Sequence, residues 1–299
     1  VDDYERDIIR KHEKTRPDKE DDRTRHVLAL NANAEPVFLA YRAAPAISEL
    51  VAAIRGDPPR DDFTTGDGVR HRTWRVTDPS ALLAAFRRLP AAYVADGHHR
   101  CASAWRAGKE RRAANPAHDG TEEYNWFLAV LFPDSELEIL PYNRVVRDLG
   151  AHDADSFLAA LGEIGRVEPA GRPEPPAAGA FGVYLGGAWH RLTLDPATIN
   201  ARDPIASLDA QLLHDRVLAP VLGIGDPRTD QRLDFVGGIR GSAALQERVD
   251  RGDAAVAFAL YPTSLAQLLA VSDAGLIMPP KTTWFEPKLA SGLFLHTLD

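Results

Sequence analysis

The stretch Ala91-Ala92-Tyr93-Val94-Ala95-Asp96-Gly97-His98-His99-Arg100-Cys101-Ala102-Ser103-Ala104-Trp105 sets a short apolar run against a helix-like one, with a polar, glycine-containing joint between them. Tyr93, Val94 and the flanking alanines suit a short buried strand. Cys101, Ala104, Trp105 and Ala107 can share one face of the helix that follows. Gly97 stands at the joint, where it can take a backbone conformation closed to other residues and lets a ligand approach the main chain.

A strand, a glycine turn and a helix start together present backbone N–H groups to an anion. His98, His99 and Arg100 add side-chain donors, and Asp96 adds an acceptor or metal ligand. The expectation is a phosphate-binding loop made by Asp96, Gly97, His98, His99 and Arg100. The competing reading is an ordinary Asp-Gly turn before a helix, with Asp96 as its cap and the histidines solvated. Zinc is disfavoured, because adjacent histidines diverge and no second Cys/His cluster accompanies them.

Ala95 to Arg100 resembles the signature of the domain of unknown function 1015 family, itself distantly similar to free serine kinases of the ParB/sulfiredoxin-like fold. A second stretch, Met278-Pro279-Pro280-Lys281-Thr282-Thr283-Trp284-Phe285-Glu286-Pro287-Lys288-Leu289-Ala290-Ser291-Gly292-Leu293, looks like that family's C-terminal signature. The resemblance implies a mixed α+β fold, with a ParB/sulfiredoxin-like lobe holding the loop over 1–150 and a second α+β lobe over 151–299. One compact domain is the alternative. Family members usually carry a further N-terminal segment, and this chain starts at Val1 without a methionine, so a fragment is expected.

The chain has 299 residues, 44% hydrophobic and 26% charged, which is ordinary for a globular protein with a substantial core. Its formal net charge of −8 argues against a general nucleic-acid surface, which needs unopposed lysine and arginine. A single cysteine, Cys101, cannot make an internal disulfide, and no apolar run approaches the roughly 20 residues that span a bilayer. A cytoplasmic protein without nucleic-acid or membrane partners is the expectation.

Along the chain, Asp2 to Thr15 reads as a helix ended by Pro17, and His26 to Leu30 and Val37 to Tyr41 read as strands. Helices are expected over Ile47 to Ile54, Pro79 to Arg88, Ser156 to Ile164, Ser207 to Leu222, Ser242 to Val249 and Ser264 to Ser272. Strands are expected over Val69 to Val76, Asn125 to Phe132 and Leu137 to Val146, the last two forming a hairpin around Pro133-Asp134-Ser135. Phe181 to Leu185 and Trp189 to Leu194 flank Gly186-Gly187 as a second hairpin, and Ala254 to Leu260 is a further strand.

Kinases of the resembled type pair an early His-Glu dipeptide with a later Asp-Gly-His-x-Arg loop, and His12-Glu13 stands upstream here at a longer spacing. The resemblance therefore implies Glu13 as the base toward a substrate hydroxyl, with His98 and Arg100 stabilising the transferring phosphoryl group. ATP or ADP with Mg²⁺ would be the cofactor, Asp96 its nearest metal ligand, and a small hydroxylated metabolite such as free serine the second partner. Lys281 and Lys288 can supply further donors to the nucleotide, or else merely flank a packed, proline-shaped loop. No Walker loop or dinucleotide fingerprint is present. A nucleotide- or phosphometabolite-binding regulator without turnover is the alternative function.

Overall fold

A computed structural model describes residues 1–286 and 288–299. The contacts within it divide the chain into two units. The first comprises Val1–Arg10, Pro17–Glu136 and Ala290–Asp299, and the second Lys11–Arg16 and Leu137–Leu289. The main cut thus lies at Glu136/Leu137, upstream of Gly150, and the last ten residues return to the first unit. Both units mix helices and sheets, the α+β class expected from the sequence.

The first unit contains α1 (Asp2–Glu5), β1 (Ile9–Arg10), α2 (Pro17–Leu30), β2 (Ala32–Asn33), β3 (Val37–Tyr41), α3 (Pro45–Arg55), β4 (Asp61–Thr64), β5 (Arg70–Thr73), α4 (Ser80–Phe86), β6 (Ala92–Asp96), α5 (His98–Ala114) and β7 (Ala129–Pro133). Its main sheet has the order β1-β6-β3-β7, with β6 parallel to β1 and antiparallel to β3. Val37, Leu39, Val94, Cys101 and Ala102 form its buried centre with Tyr4 and Ile9. Cys101 is fully buried, so it acts as a small core residue. A run of small residues in α5 keeps that helix close to its neighbours. At Gly108 even a methyl group would lie 2.6 Å from the Tyr124 carbonyl oxygen.

Three local expectations fail in this unit. The helix over Asp2 to Thr15 stops at Glu5, because Asp7 turns into a left-handed conformation and Ile9–Arg10 pair as a strand with Ala92 and Tyr93. Pro17 opens a helix, at the first position where its missing N–H costs nothing. His26 to Leu30 is the end of α2, whose Thr24, Val27 and Leu28 share the less exposed face at helical spacing. The strand expected over Val69 to Val76 does form, as Arg70–Thr73, but its partner Asp61–Thr64 carries no alternating pattern that announces it.

The second unit contains β8 (Glu138–Leu140), β9 (Tyr142–Val146), α6 (Ala154–Ile164), β10 (Gly165–Pro169), β11 (Ala180–Leu185), β12 (Ala188–Leu194), α7 (Asp209–Leu213), β13 (Leu233–Gly237), α8 (Ala243–Asp250), β14 (Val256–Leu260), α9 (Leu265–Asp273) and β15 (Trp284–Glu286). Six strands form an antiparallel sheet in the order β10-β12-β11-β14-β9-β13. The expected Gly186-Gly187 hairpin is its β11–β12 pair. Every residue of β11 and β14 is buried, because apolar clusters pack on both faces. Phe157, Leu161, Phe181 and Phe258 belong to one cluster, and Val145, Tyr184, Val236 and Leu245 to the other.

The hairpin expected around Pro133-Asp134-Ser135 does not form. β7 pairs in parallel with β3, Asp134 accepts a hydrogen bond from the Ala43 N–H at 2.9 Å, and Pro141 splits the next apolar run into β8 and β9. The long helix expected from Ser207 is shorter and irregular: α7 passes directly into a π-helical turn, His214–Leu218. Among the described residues no helix is long and apolar enough to cross a membrane.

Candidate functional site: the glycine turn between β6 and α5

β6 ends at Asp96 with an irregularity. Its pairing with β3 passes from Leu39↔Val94 directly to Phe38↔Asp96, so Ala95 is an extra residue, a bulge. Bulges re-aim the side chains beside them and recur next to active sites. Gly97 follows with φ +94°, a left-handed conformation that L side chains rarely adopt. It is the N-cap of α5, and no side chain caps the helix from that position. The N-cap position thus belongs to Gly97, with Asp96 one residue before it.

From this turn α5 runs for 17 residues, its dipole placing partial positive charge at the loop. The Cys101 N–H donates to the Gly97 carbonyl at 3.0 Å, closing the first helical turn. His98 is buried, whereas Asp96, His99 and Arg100 are partly exposed. The His99 carbonyl accepts from the Ser103 hydroxyl at 2.6 Å, which holds the first turn from inside. Asp96, Gly97, His98, His99 and Arg100 thus form one short structural element.

Arg100 is fastened to a residue that the sequence reading did not single out. Its Nε lies 2.9 Å from Glu35 Oε2, and its Nη1 donates to the Pro36 carbonyl at 2.6 Å. Glu35 Oε1 in turn accepts from the Ser291 hydroxyl at 3.3 Å, so Ser291 is tied to the loop through Glu35. The Phe38↔Asp96 pairing places the Glu35-Pro36 approach to β3 beside the turn, a relationship that only the sheet register reveals.

The remaining site candidates lie in the second unit. Glu13 is exposed in the irregular segment Lys11–Arg16 rather than on a helix, and His12 beside it is buried, its carbonyl accepting from the Met278 N–H at 2.8 Å. Lys281 has φ +54°, and its Nζ stands 5.7 Å from the centre of the Tyr142 ring. Lys288 Nζ stands 4.9 Å from the Trp284 ring, which packs edge-on against Tyr142 at 5.5 Å. Both lysines thus lie over aromatic faces flanking β15. Pro287 of the same stretch lies outside the described residues.

Among the described residues no group of three or more His, Cys, Asp or Glu side chains is arranged to hold a metal ion. Mg²⁺ needs no such cage, because it binds through one or two carboxylates together with substrate phosphates and water. Asp96 is a single carboxylate at the Gly97 turn, which is compatible with that mode.

The family described as "Protein of unknown function (DUF1015)" matches residues 1–211, more than two thirds of the chain and the whole of this loop. The chain belongs to the DUF1015 family. No curated protein matches it. Among solved structures, one described as "SbnI with C-terminal truncation from Staphylococcus aureus" is similar with a TM-score of 0.48 at 13% identity, over 94% of this chain and 80% of that one. A structure described as "Free serine kinase in complex with AMP" is similar with a TM-score of 0.42 at 13% identity, over 93% of this chain and 84% of that one. A "Conserved hypothetical protein from Pyrococcus furiosus" gives 0.41 at 13% identity, over 95% and 90%.

Proposed function

We propose that the Gly97 turn binds the phosphates of ATP or ADP and that the protein transfers a phosphoryl group to the hydroxyl of a small metabolite such as free serine. The observation that carries this reading is the left-handed Gly97 at the junction of a bulged strand and a 17-residue helix, with His98, His99 and Arg100 as the first three helical residues. A helix start favours an anion, and at Gly97 no side chain stands between an anion and the main chain.

In the proposed reaction the substrate hydroxyl oxygen forms a bond to the terminal phosphorus while the bond from phosphorus to the bridging oxygen breaks. The hydroxyl proton passes to the Glu13 carboxylate, and the shortened nucleotide leaves with the electron pair. Arg100, His98 and the backbone N–H groups stabilise the charge on the transferring phosphoryl oxygens. Mg²⁺ held by Asp96 would neutralise phosphate charge, and Lys281 and Lys288 would add donors toward the nucleotide.

A non-catalytic nucleotide- or phosphometabolite-binding regulator is the second reading. It needs only the loop and Arg100, which both belong to the first unit. Phosphoryl transfer from ATP or ADP with Mg²⁺ to free serine, assayed for the wild type, Glu13→Gln and Arg100→Ala, separates the two. The kinase predicts turnover that both variants lose. The regulator predicts no turnover, and nucleotide binding that only Arg100→Ala weakens.

A further inference from the structure

Arg144 stands in the middle of the buried strand β9, beside Asn143, and is only 3% exposed. A buried guanidinium is costly unless a negative charge answers it. Among the described residues no carboxylate lies within ion-pair distance of it. Its partners are backbone carbonyls: Nη1 donates to Tyr142 at 2.7 Å and Nη2 to Pro280 at 3.2 Å, while its flat face stands 4.5 Å from the centre of the Phe235 ring. Burial pulls its pKa well below the ordinary arginine value, a measure of how poorly the charge is solvated.

The guanidinium lines a cavity of about 240 Å³ inside the second unit. Leu218, Leu233 and Met278 supply apolar wall, and His214 is a further lining residue. Nδ1 of His214 is buried without a hydrogen-bond partner among the described residues. The same histidine opens the π-helical turn, a local widening that recurs at functional sites and costs regular helix hydrogen bonding. A buried cation without a carboxylate partner and a histidine that opens an irregular helical turn therefore line one small cavity.

We propose that this cavity is a binding site for a small monocarboxylate, its carboxylate on Arg144 and His214 and its short body against Leu218, Leu233 and Met278. The charge count selects the class. Asp226 and Arg228, both exposed at the cavity, offset each other and leave the single positive charge of Arg144, which one carboxylate neutralises. A phosphate dianion would bring an uncompensated negative charge next to Asp226. The volume is below that of pockets for drug-sized ligands and suits a molecule of amino-acid size. The site is independent of the phosphate reading of the Gly97 turn, and either can fail without the other.

Calorimetric titration of the whole chain with propionate, propionamide and inorganic phosphate tests it. Propionate should bind saturably, with a Kd of about a millimolar or tighter, and neutral propionamide at least about tenfold more weakly. Arg144→Met should abolish the difference between the two, and His214→Leu should reduce it. The wild-type comparison needs no variant to fold. Equal binding of propionate and propionamide, binding of neither, or a preference for phosphate would overturn the assignment.

Discussion

Arg100 and Glu35 form an ion pair, Nε to Oε2 at 2.9 Å, which holds the guanidinium at the start of α5 while Nη1 is anchored on the Pro36 carbonyl. Both side chains are substantially exposed, so the pair contributes little to stability and its effect falls chiefly on where the arginine points. The carboxylate also competes with any incoming phosphate for the same cation. Glu35→Gln keeps a hydrogen-bond acceptor but removes the competing charge. Nucleotide affinity should rise about two- to fivefold, roughly 0.5–1 kcal/mol, in a calorimetric titration with ADP and Mg²⁺.

Gly97→Ala tests the turn itself. An added methyl group would meet Arg100 Cδ at 3.5 Å, an ordinary contact, so the cost lies in the left-handed backbone alone. A loss of about 1–2 kcal/mol in denaturant unfolding is expected, together with weaker phosphate binding as the turn relaxes.

Trp284 in β15 is held by a different close approach. A methyl group on Gly237 would lie 2.5 Å from its ring carbons, so the indole rests directly on bare backbone. Gly237→Ala should therefore cost about 1–3 kcal/mol and shift the tryptophan fluorescence, because the ring has to move away from Tyr142 and Lys288.

Asp209 is buried at the start of α7. Its Oδ1 accepts the Gly179 N–H at 2.9 Å, and its Oδ2 is buried without a hydrogen-bond partner among the described residues. Burial raises its pKa from the ordinary 3.8 to about 7. Between these values the folded chain holds a proton that the unfolded chain has released, so this group's contribution to stability is complete below pH 3.8 and falls as pH rises toward 7. Asp209→Asn lacks that titration. Its stability advantage over the wild type should grow from pH 4 to pH 7, reach on the order of a few kcal/mol and then level off, as read from urea unfolding at each pH.

The β6–Gly97–α5 unit was legible in the sequence because two apolar periods meet at a glycine that only a special backbone explains. The β11–β12 hairpin was legible for the same reason, through Gly186-Gly187. What escaped was decided by partners distant in sequence. Ile9–Arg10 become a strand because β6 offers them an edge, and the bulge at Ala95 exists only in the pairing of β6 with β3. Glu35 was invisible because an acid before a strand has no local signature, and its role comes from the register that brings it to Arg100. Arg144 did carry a signal, a charge inside the strand Tyr142–Val146, which burial then turns into a question about its counter-charge.

The central claim is that the Gly97 turn binds nucleotide phosphates. Calorimetric titration of ADP with Mg²⁺ into the wild type and Arg100→Ala tests it most directly. The account predicts saturable one-to-one binding that the variant weakens at least about tenfold, the worth of one charge-assisted hydrogen bond. No saturable binding, or binding that Arg100→Ala leaves unchanged, would contradict it.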